Sequence, residues 1–261
     1  MEKSIAFVVL TCDAYSDLWP MYLHFISKNW ADCPYDKYFV TNYKSIDDSS
    51  FNCMKIGKDE SWSDNLLKVL AQLKSDYDYV LVTLEDVPIV QKVDQKRLNH
   101  MVKLFVEIDA NFLSCTNIPK ETHKFNSSFG IIEKGSIYRP TCEYSLWKIS
   151  VLEKLLVKGE NAWEFERFGA VRSDKHDKFY VVYKNIFFTC HTVVKGKWIR
   201  SGLRKIIQLG FIPDIQKRKI FSWREELFYH LYGIIFNIFH RTIFVPWQLR
   251  RKIVFKFKGY S

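Results

Sequence analysis

The chain contains no GxGxxG and no GxxxxGK(S/T), so neither a dinucleotide fingerprint nor a phosphate-binding P-loop is present. No CxxC pair occurs either. The six cysteines (Cys12, Cys33, Cys53, Cys115, Cys142, Cys190) are scattered, which argues against a zinc site or a disulfide frame. They read instead as small buried residues of a reducing compartment. No apolar run approaches the roughly 18 residues needed to span a bilayer. Met1-Glu-Lys-Ser leads straight into an apolar strand, too short a start for a signal peptide. A cytoplasmic protein is expected. No internal repeat, low-complexity linker or Ser-His-Asp or Cys-His nucleophile pattern stands out.

What is present is a folded composition. Of 261 residues, 48% are hydrophobic and 26% charged, which excludes a disordered chain and suffices for one large domain or a domain with an appendage. Aromatic residues make up 16%, and such side chains suit sugar faces, interfaces and membrane boundaries. The net charge of +10 is unevenly placed. From Lys195 to Ser261 there are 15 Lys+Arg against 3 Asp+Glu, a net of +12, while the first 194 residues carry a net of −2. A near-neutral body with a basic, aromatic tail points to a polyanionic partner, an anionic bilayer before nucleic acid.

Ile5–Leu10 is a continuous apolar run of the kind that forms a buried parallel strand. A helix is predicted from about Leu18 to Asn29. Strands are predicted at 38–41, 52–56, 79–84 and 112–116, with helices opening at Ser63-Asp64 and running over 94–109. An irregular stretch follows at 117–144. Helical spacing then covers Leu146–Lys158 and stops at Gly159, a second short helix holds Trp163–Phe168, and late strands fall at 179–183 and 186–189. Strands alternating with helices over the first 115 residues indicate an α/β domain with a mainly parallel sheet. In the tail, Phe228, Leu231, Ile235, Ile238 and Phe239 keep near-helical spacing, and Arg241, Arg250, Arg251, Lys252, Lys256 and Lys258 follow. That pattern fits an interfacial amphipathic helix; the alternative is a tail of ordinary helices packed on the body.

The run Tyr79–Val87 ends a strand on two adjacent carboxylates, Glu85 and Asp86. Acids at the edge of a core need a cation, a donor or water, and ligand sites of open α/β sheets lie at the carboxyl ends of strands. A divalent cation or a nucleotide is one reading; solvated loop acids are the other. Asp13 follows the first strand, where a carboxylate can accept from a ribose or a base, or open an Asx-turn. Trp62, Ser63, Asp64 and Asn65 stand at a helix start, an anchor for a phosphate or sugar hydroxyls, or a simple cap. Glu160-Asn-Ala-Trp-Glu-Phe-Glu166 sets carboxylates around aromatics, where a sugar could stack on Trp163 and an acid serve as base, or where an amphipathic turn could face its acids to water. His191 could complete a metal site or contact a diphosphate, or be structural; Lys195, Lys197 and Arg200 follow it as possible neutralisers of phosphate charge.

Four segments, Thr11–Trp19, Trp62–Asn65, Leu84-Glu-Asp86, and Trp147-Lys with Gly159–Glu166, together resemble bacterial GT-A type glycosyltransferases of surface-polysaccharide (lipopolysaccharide O-antigen or capsule) biosynthesis. The resemblance covers about residues 5–200. It implies a GT-A-like, Rossmann-like mainly parallel central sheet flanked by helices, with a donor half over about 1–115, an acceptor half over about 116–200 and a basic amphipathic helical extension over 201–261. It implies a nucleotide-sugar donor on Asp13, Trp62, Ser63, Asp64, Asn65, Glu85 and Asp86, and a lipid-linked glycan acceptor on Trp147 and Trp163. Glu164 or Glu166 would be the base of a hexosyltransferase-like, inverting transfer. His191, Lys195 and Lys197 would meet phosphate, and Asp86 with His191 would be the ligands of a divalent cation, Mg or Mn. Thr83-Leu-Glu-Asp-Val lacks the Asp-x-Asp of the pattern, which leaves metal dependence open. The tail would place the enzyme on the inner face of the cytoplasmic membrane, with no nucleic acid partner. Two other readings stand beside this one: a nucleotidyltransferase acting on sugar phosphates, for which Thr11–Asp17 has no glycine, and a non-catalytic polysaccharide- or membrane-binding accessory protein.

Overall fold

The computed structural model describes residues 5–231. Its first half is built as the apolar pattern dictates: β1 (Ile5–Leu10), α1 (Trp19–Asn29), β2 (Asp36–Thr41), β3 (Asn52–Lys55), α2 (Trp62–Leu73), β4 (Tyr79–Leu84), α3 (Gln95–Glu107) and β5 (Phe112–Ser114). Then come β6 (His123–Lys124), β7 (Phe129–Ile131), β8 (Ser145–Lys148), α4 (Ile149–Leu155), α5 (Ala162–Arg172), β9 (Phe179–Val182), β10 (Val193–Val194), β11 (Lys197–Trp198) and α6 (Arg200–Gln208).

Nine strands form one sheet in the order β3-β2-β1-β4-β8-β5-β9-β7-β6, and β10 and β11 form a separate hairpin. Only β7 and β8 run against the common direction, so the sheet is mainly parallel. This is the α/β, GT-A-like architecture that the resemblance implies. Its centre is buried on both faces. Along β1, Ile5, Phe7 and Val9 join the core under α1 and α3, while Ala6, Val8 and Leu10 join the core under α2, α4 and α5. The period-2 pleat makes that split, and burial on both sides makes the strand read as unbroken hydrophobic sequence. Both proposed halves contribute to the sheet, since β5 lies between β8 and β9. All six cysteines are free thiols.

Two predicted elements differ. The helix expected from Leu146 begins at Ile149, because 145–148 is a strand wedged between β4 and β5. Four apolar residues cannot distinguish the two periods, and two waiting strand edges decide the matter. The helix also stops at Leu155 rather than at Gly159, whose φ of +83° serves the loop beyond. The strand expected at 186–189 is a loop that bends at 186–187 and makes one bridge, Ile89 to Thr189.

The tail is partly body. Leu203 and Ile206 of α6 pack with Leu18, Met21 and Phe25, so the first turns past residue 200 are ordinary packed helix. No helix among the described residues is long and apolar enough to cross a membrane. The predicted stripe at Ile235, Ile238 and Phe239, and the basic residues from Arg241 onward, lie outside the described residues.

Candidate active site

The parallel strands β1 to β4 deliver their carboxyl ends to one rim of the sheet, and the predicted acids stand there. Glu85 leaves β4 buried, 5% exposed, and its carboxyl pKa is raised by burial and by the neighbouring Asp86 charge. Its own backbone N–H, the Thr11 hydroxyl and Arg218 oppose that rise. Asp86 is also raised, chiefly by burial and with Glu143 adding to it, against the pull of His191 and Arg218. Its Oδ1 is buried and has no hydrogen-bond partner. Such an atom is costly to leave bare, so it marks a place for a ligand.

Residues 86–90 run beside 188–192. The N–H of Val90 donates to Phe188 O at 2.8 Å, that of Cys190 to Pro88 O at 3.2 Å, and that of Thr192 to Asp86 O at 3.1 Å. This pairing carries His191 to the acids. Its Nε2 lies 3.3 Å from Glu143 Oε2, and Thr189 Oγ1 donates to the other Glu143 oxygen. Glu166 completes the group. Its Oε1 accepts from the Cys142 N–H at 2.9 Å, and burial pushes its pKa up to about 7, with Glu143 adding and His191 opposing. Asp86, His191, Glu143 and Glu166 thus form one cluster fed by four separate chain segments.

Other predicted residues have different tasks. The Asp13 carboxylate is engaged by backbone: Oδ1 accepts from Asn42 N at 3.0 Å, and Oδ2 from Tyr43 N at 3.0 Å and Lys44 N at 3.1 Å. It clamps the loop after β2 to the loop after β1, because three converging N–H groups satisfy a carboxylate well. Glu164 is the reciprocal partner of a capping box with Asn161, so of the two proposed bases only Glu166 reaches the cluster. Trp147 is wholly buried in β8, its ring tilted against Phe112 at 4.4 Å between ring centres, and is core rather than an acceptor platform. Trp163, by contrast, is 55% exposed at the start of α5.

At α2, Ser61 caps the helix by accepting from Asp64 N, and Asp64 Oδ2 accepts from Ser61 Oγ at 2.6 Å and Gly159 N at 2.7 Å. Asp64 therefore ties the start of α2 to the loop before α5. Asn65 donates to Asp59 at 2.7 Å. Trp62 Nε1, Ser63 Oγ and Asn65 Oδ1 remain buried without partners, three polar atoms at a helix N-terminus. Lys195 is exposed, in a two-residue hairpin turn with Gly196 where both have positive φ. Lys197 pairs with Glu225 at 2.6 Å, so its charge is already countered.

The cation that does approach the acids is Arg218. It bonds Asp17 through Nε at 2.6 Å and Nη2 at 2.8 Å, and its guanidinium lies 4.2 Å from the Tyr15 ring centre. Arg218 and Glu143 carried no sequence signal: one is 201 positions from Asp17, the other sits in the irregular stretch before β8. Among the described residues no group of three or more His, Cys, Asp and Glu side chains could by itself hold a metal ion. Asp86 with its open oxygen, and His191 beside it, fit a cation that a ligand's own oxygens would help to hold.

The nine-stranded sheet and the acid cluster on its carboxyl rim define an α/β protein of the GT-A-like class. No protein-family model and no curated protein matches the sequence. Among solved structures, the chain is similar to S. aureus TarS 1–349 in complex with UDP, at 12% identity over 82% of this chain and 67% of that one, with a TM-score of 0.50. A longer S. aureus TarS structure matches at 11% identity over 79% of this chain, with a TM-score of 0.49. The chain spans 38% of that longer protein.

Proposed function

We propose that the chain is a glycosyltransferase that moves a sugar from a nucleotide-sugar donor to a hydroxyl acceptor. The observation that carries this reading is the gathering of Asp86, Glu143, Glu166 and His191 from four chain segments at the carboxyl rim of a GT-A-like sheet, with His191 Nε2 3.3 Å from Glu143. The fold likeness to TarS, a glycosyltransferase solved with UDP, supports a nucleoside diphosphate as the donor's leaving part.

In this reading Glu166, with its pKa near neutrality, accepts the proton of the acceptor hydroxyl while that oxygen bonds to the anomeric carbon. The bond from the anomeric carbon to the diphosphate breaks in the same displacement, and one base with in-line attack gives inversion. Arg218, held by Asp17 through two nitrogens, contributes to the developing diphosphate only the field that this ion pair leaves. A divalent cation held by Asp86, His191 and the diphosphate would supply further neutralisation. The unpartnered atoms at the start of α2 receive the donor, and exposed Trp163 offers a face for the acceptor sugar. The acceptor we infer is a lipid-linked glycan of bacterial surface-polysaccharide synthesis, of the lipopolysaccharide or capsule kind, used at the inner face of the cytoplasmic membrane.

A panel of nucleotide sugars, read by release of nucleoside diphosphate and by calorimetric binding of UDP, tests the proposal. Turnover with one donor is expected, and Asp86→Asn should lower it at least tenfold with the fold intact. Absence of both binding and turnover across the panel would sink the reading.

A further inference from the structure

Thirteen large hydrophobic side chains are exposed among the described residues, and eight of them lie between positions 207 and 231. Residues 223–231 are helical, and Trp223, Leu227, Phe228 and Leu231 recur at spacings that place them on one face. That face is exposed while the other side is engaged: Glu225 holds Lys197 at 2.6 Å, Glu226 accepts from Ser201 N at 2.7 Å, and the Tyr229 ring meets Phe221. Beside it lies a groove of about 300 Å³ lined by Arg200, Leu203, Arg204, Ile207 and Ile220. Aliphatic walls and two guanidinium groups share one cleft.

The surrounding charge has one sign. Arg204, Lys205, Lys217, Lys219 and Arg224 are all exposed, and Asp214 is the one acid between positions 200 and 224. The 30 residues beyond 231 add six Lys and Arg and no acid.

We propose that this face docks on an anionic phospholipid bilayer, with the Trp223–Leu231 stripe entering the headgroup boundary and the groove arginines meeting lipid phosphates. Charge complementarity selects this occupant. A second copy would bring the same cations against these, and the residues beyond 231 carry the same sign. A nucleic acid would use the cations but leave the aliphatic stripe uncovered. The inference stands on this surface and does not rest on the sugar-transfer reading. It does give the segment a second consequence, because Arg218 within it reaches Asp17 and Tyr15 at the acid rim.

Co-sedimentation of the full chain with vesicles tests it. Vesicles containing phosphatidylglycerol should capture the protein at low salt, and vesicles of phosphatidylcholine alone should not. The Trp223→Ser/Phe228→Ser double variant, altered only on the exposed face, should bind phosphatidylglycerol vesicles at least tenfold more weakly with an unchanged melting midpoint and unchanged UDP binding. Arg204→Glu, in the groove, should do the same. Wild-type capture by both variants would overturn the proposal and transfer binding to residues beyond 231. A wild-type dimer in gel filtration that both variants abolish, with no vesicle capture, would overturn it in favour of self-association.

Discussion

Replacing Glu166 by Gln removes a charge while keeping the side chain's shape and the hydrogen bond accepted from the Cys142 N–H. In the folded protein burial lifts this carboxyl from 4.5 to about 7. Each unit corresponds to about 1.36 kcal/mol, so the full shift is worth roughly 3 kcal/mol. The folded pKa is the higher one, so the folded state holds the proton more tightly. The stability this contributes is complete below pH 4.5 and is lost as pH rises through 7. Wild type and Glu166→Gln should therefore be equally stable near pH 4.5, and the variant should gain roughly 2–3 kcal/mol by pH 8, after a discount for partial exposure. For a domain of this size that is a rise of about 5–10 °C in melting midpoint. Urea titrations at several pH values read the effect directly, and the difference between the two proteins cancels the other titrating acids. A difference independent of pH, or a variant less stable at pH 8, would refute the assignment of a buried, proton-holding Glu166. If Glu166 is also the base, the variant's gain in stability comes with a loss of turnover of at least a hundredfold, and wild-type kcat should rise through pH 7.

Two further outcomes follow from the ion pairs and caps. Asp13→Ala strips the acceptor from three backbone N–H groups of 42–44 and should cost roughly 2 kcal/mol in chemical denaturation, with faster amide exchange at those positions; unchanged exchange would show that the clamp is idle. Arg218→Met leaves Asp17 nearly buried without its cation and should cost about 3–5 kcal/mol, with new proteolytic cleavage in 211–221. A loss below 1 kcal/mol would mean that water reaches Asp17.

Much of the fold was legible in the chain. Ile5–Leu10 and Tyr79–Leu84 lie between two layers of helices, so both faces of each strand had to be apolar, and a continuous hydrophobic run announces that. The position of Glu85 and Asp86 was legible for the same reason, since a strand's end is visible where hydrophobicity stops. The strand Ser145–Lys148 was not, because its conformation depends on the edges of β4 and β5, which local spacing does not contain.

The division between sequence and tertiary structure is clearest at the site. By itself the sequence determined that acids would stand at the end of a buried strand, because alternation and apolar runs are local properties. Only the tertiary structure decided which acids would act together. Glu164 and Glu166 are two residues apart on one helix, yet that offset turns one to its own capping box and the other into the cluster with His191 and Glu143. Asp13 and Trp147 had the right types in the right order, and chain segments folding over them gave one to a loop and the other to the core. Arg218 reached Asp17 from 201 positions away. Burial first, then neighbouring charge, raises the pKa of Glu85, Asp86 and Glu166, and both are properties of what surrounds a residue in space.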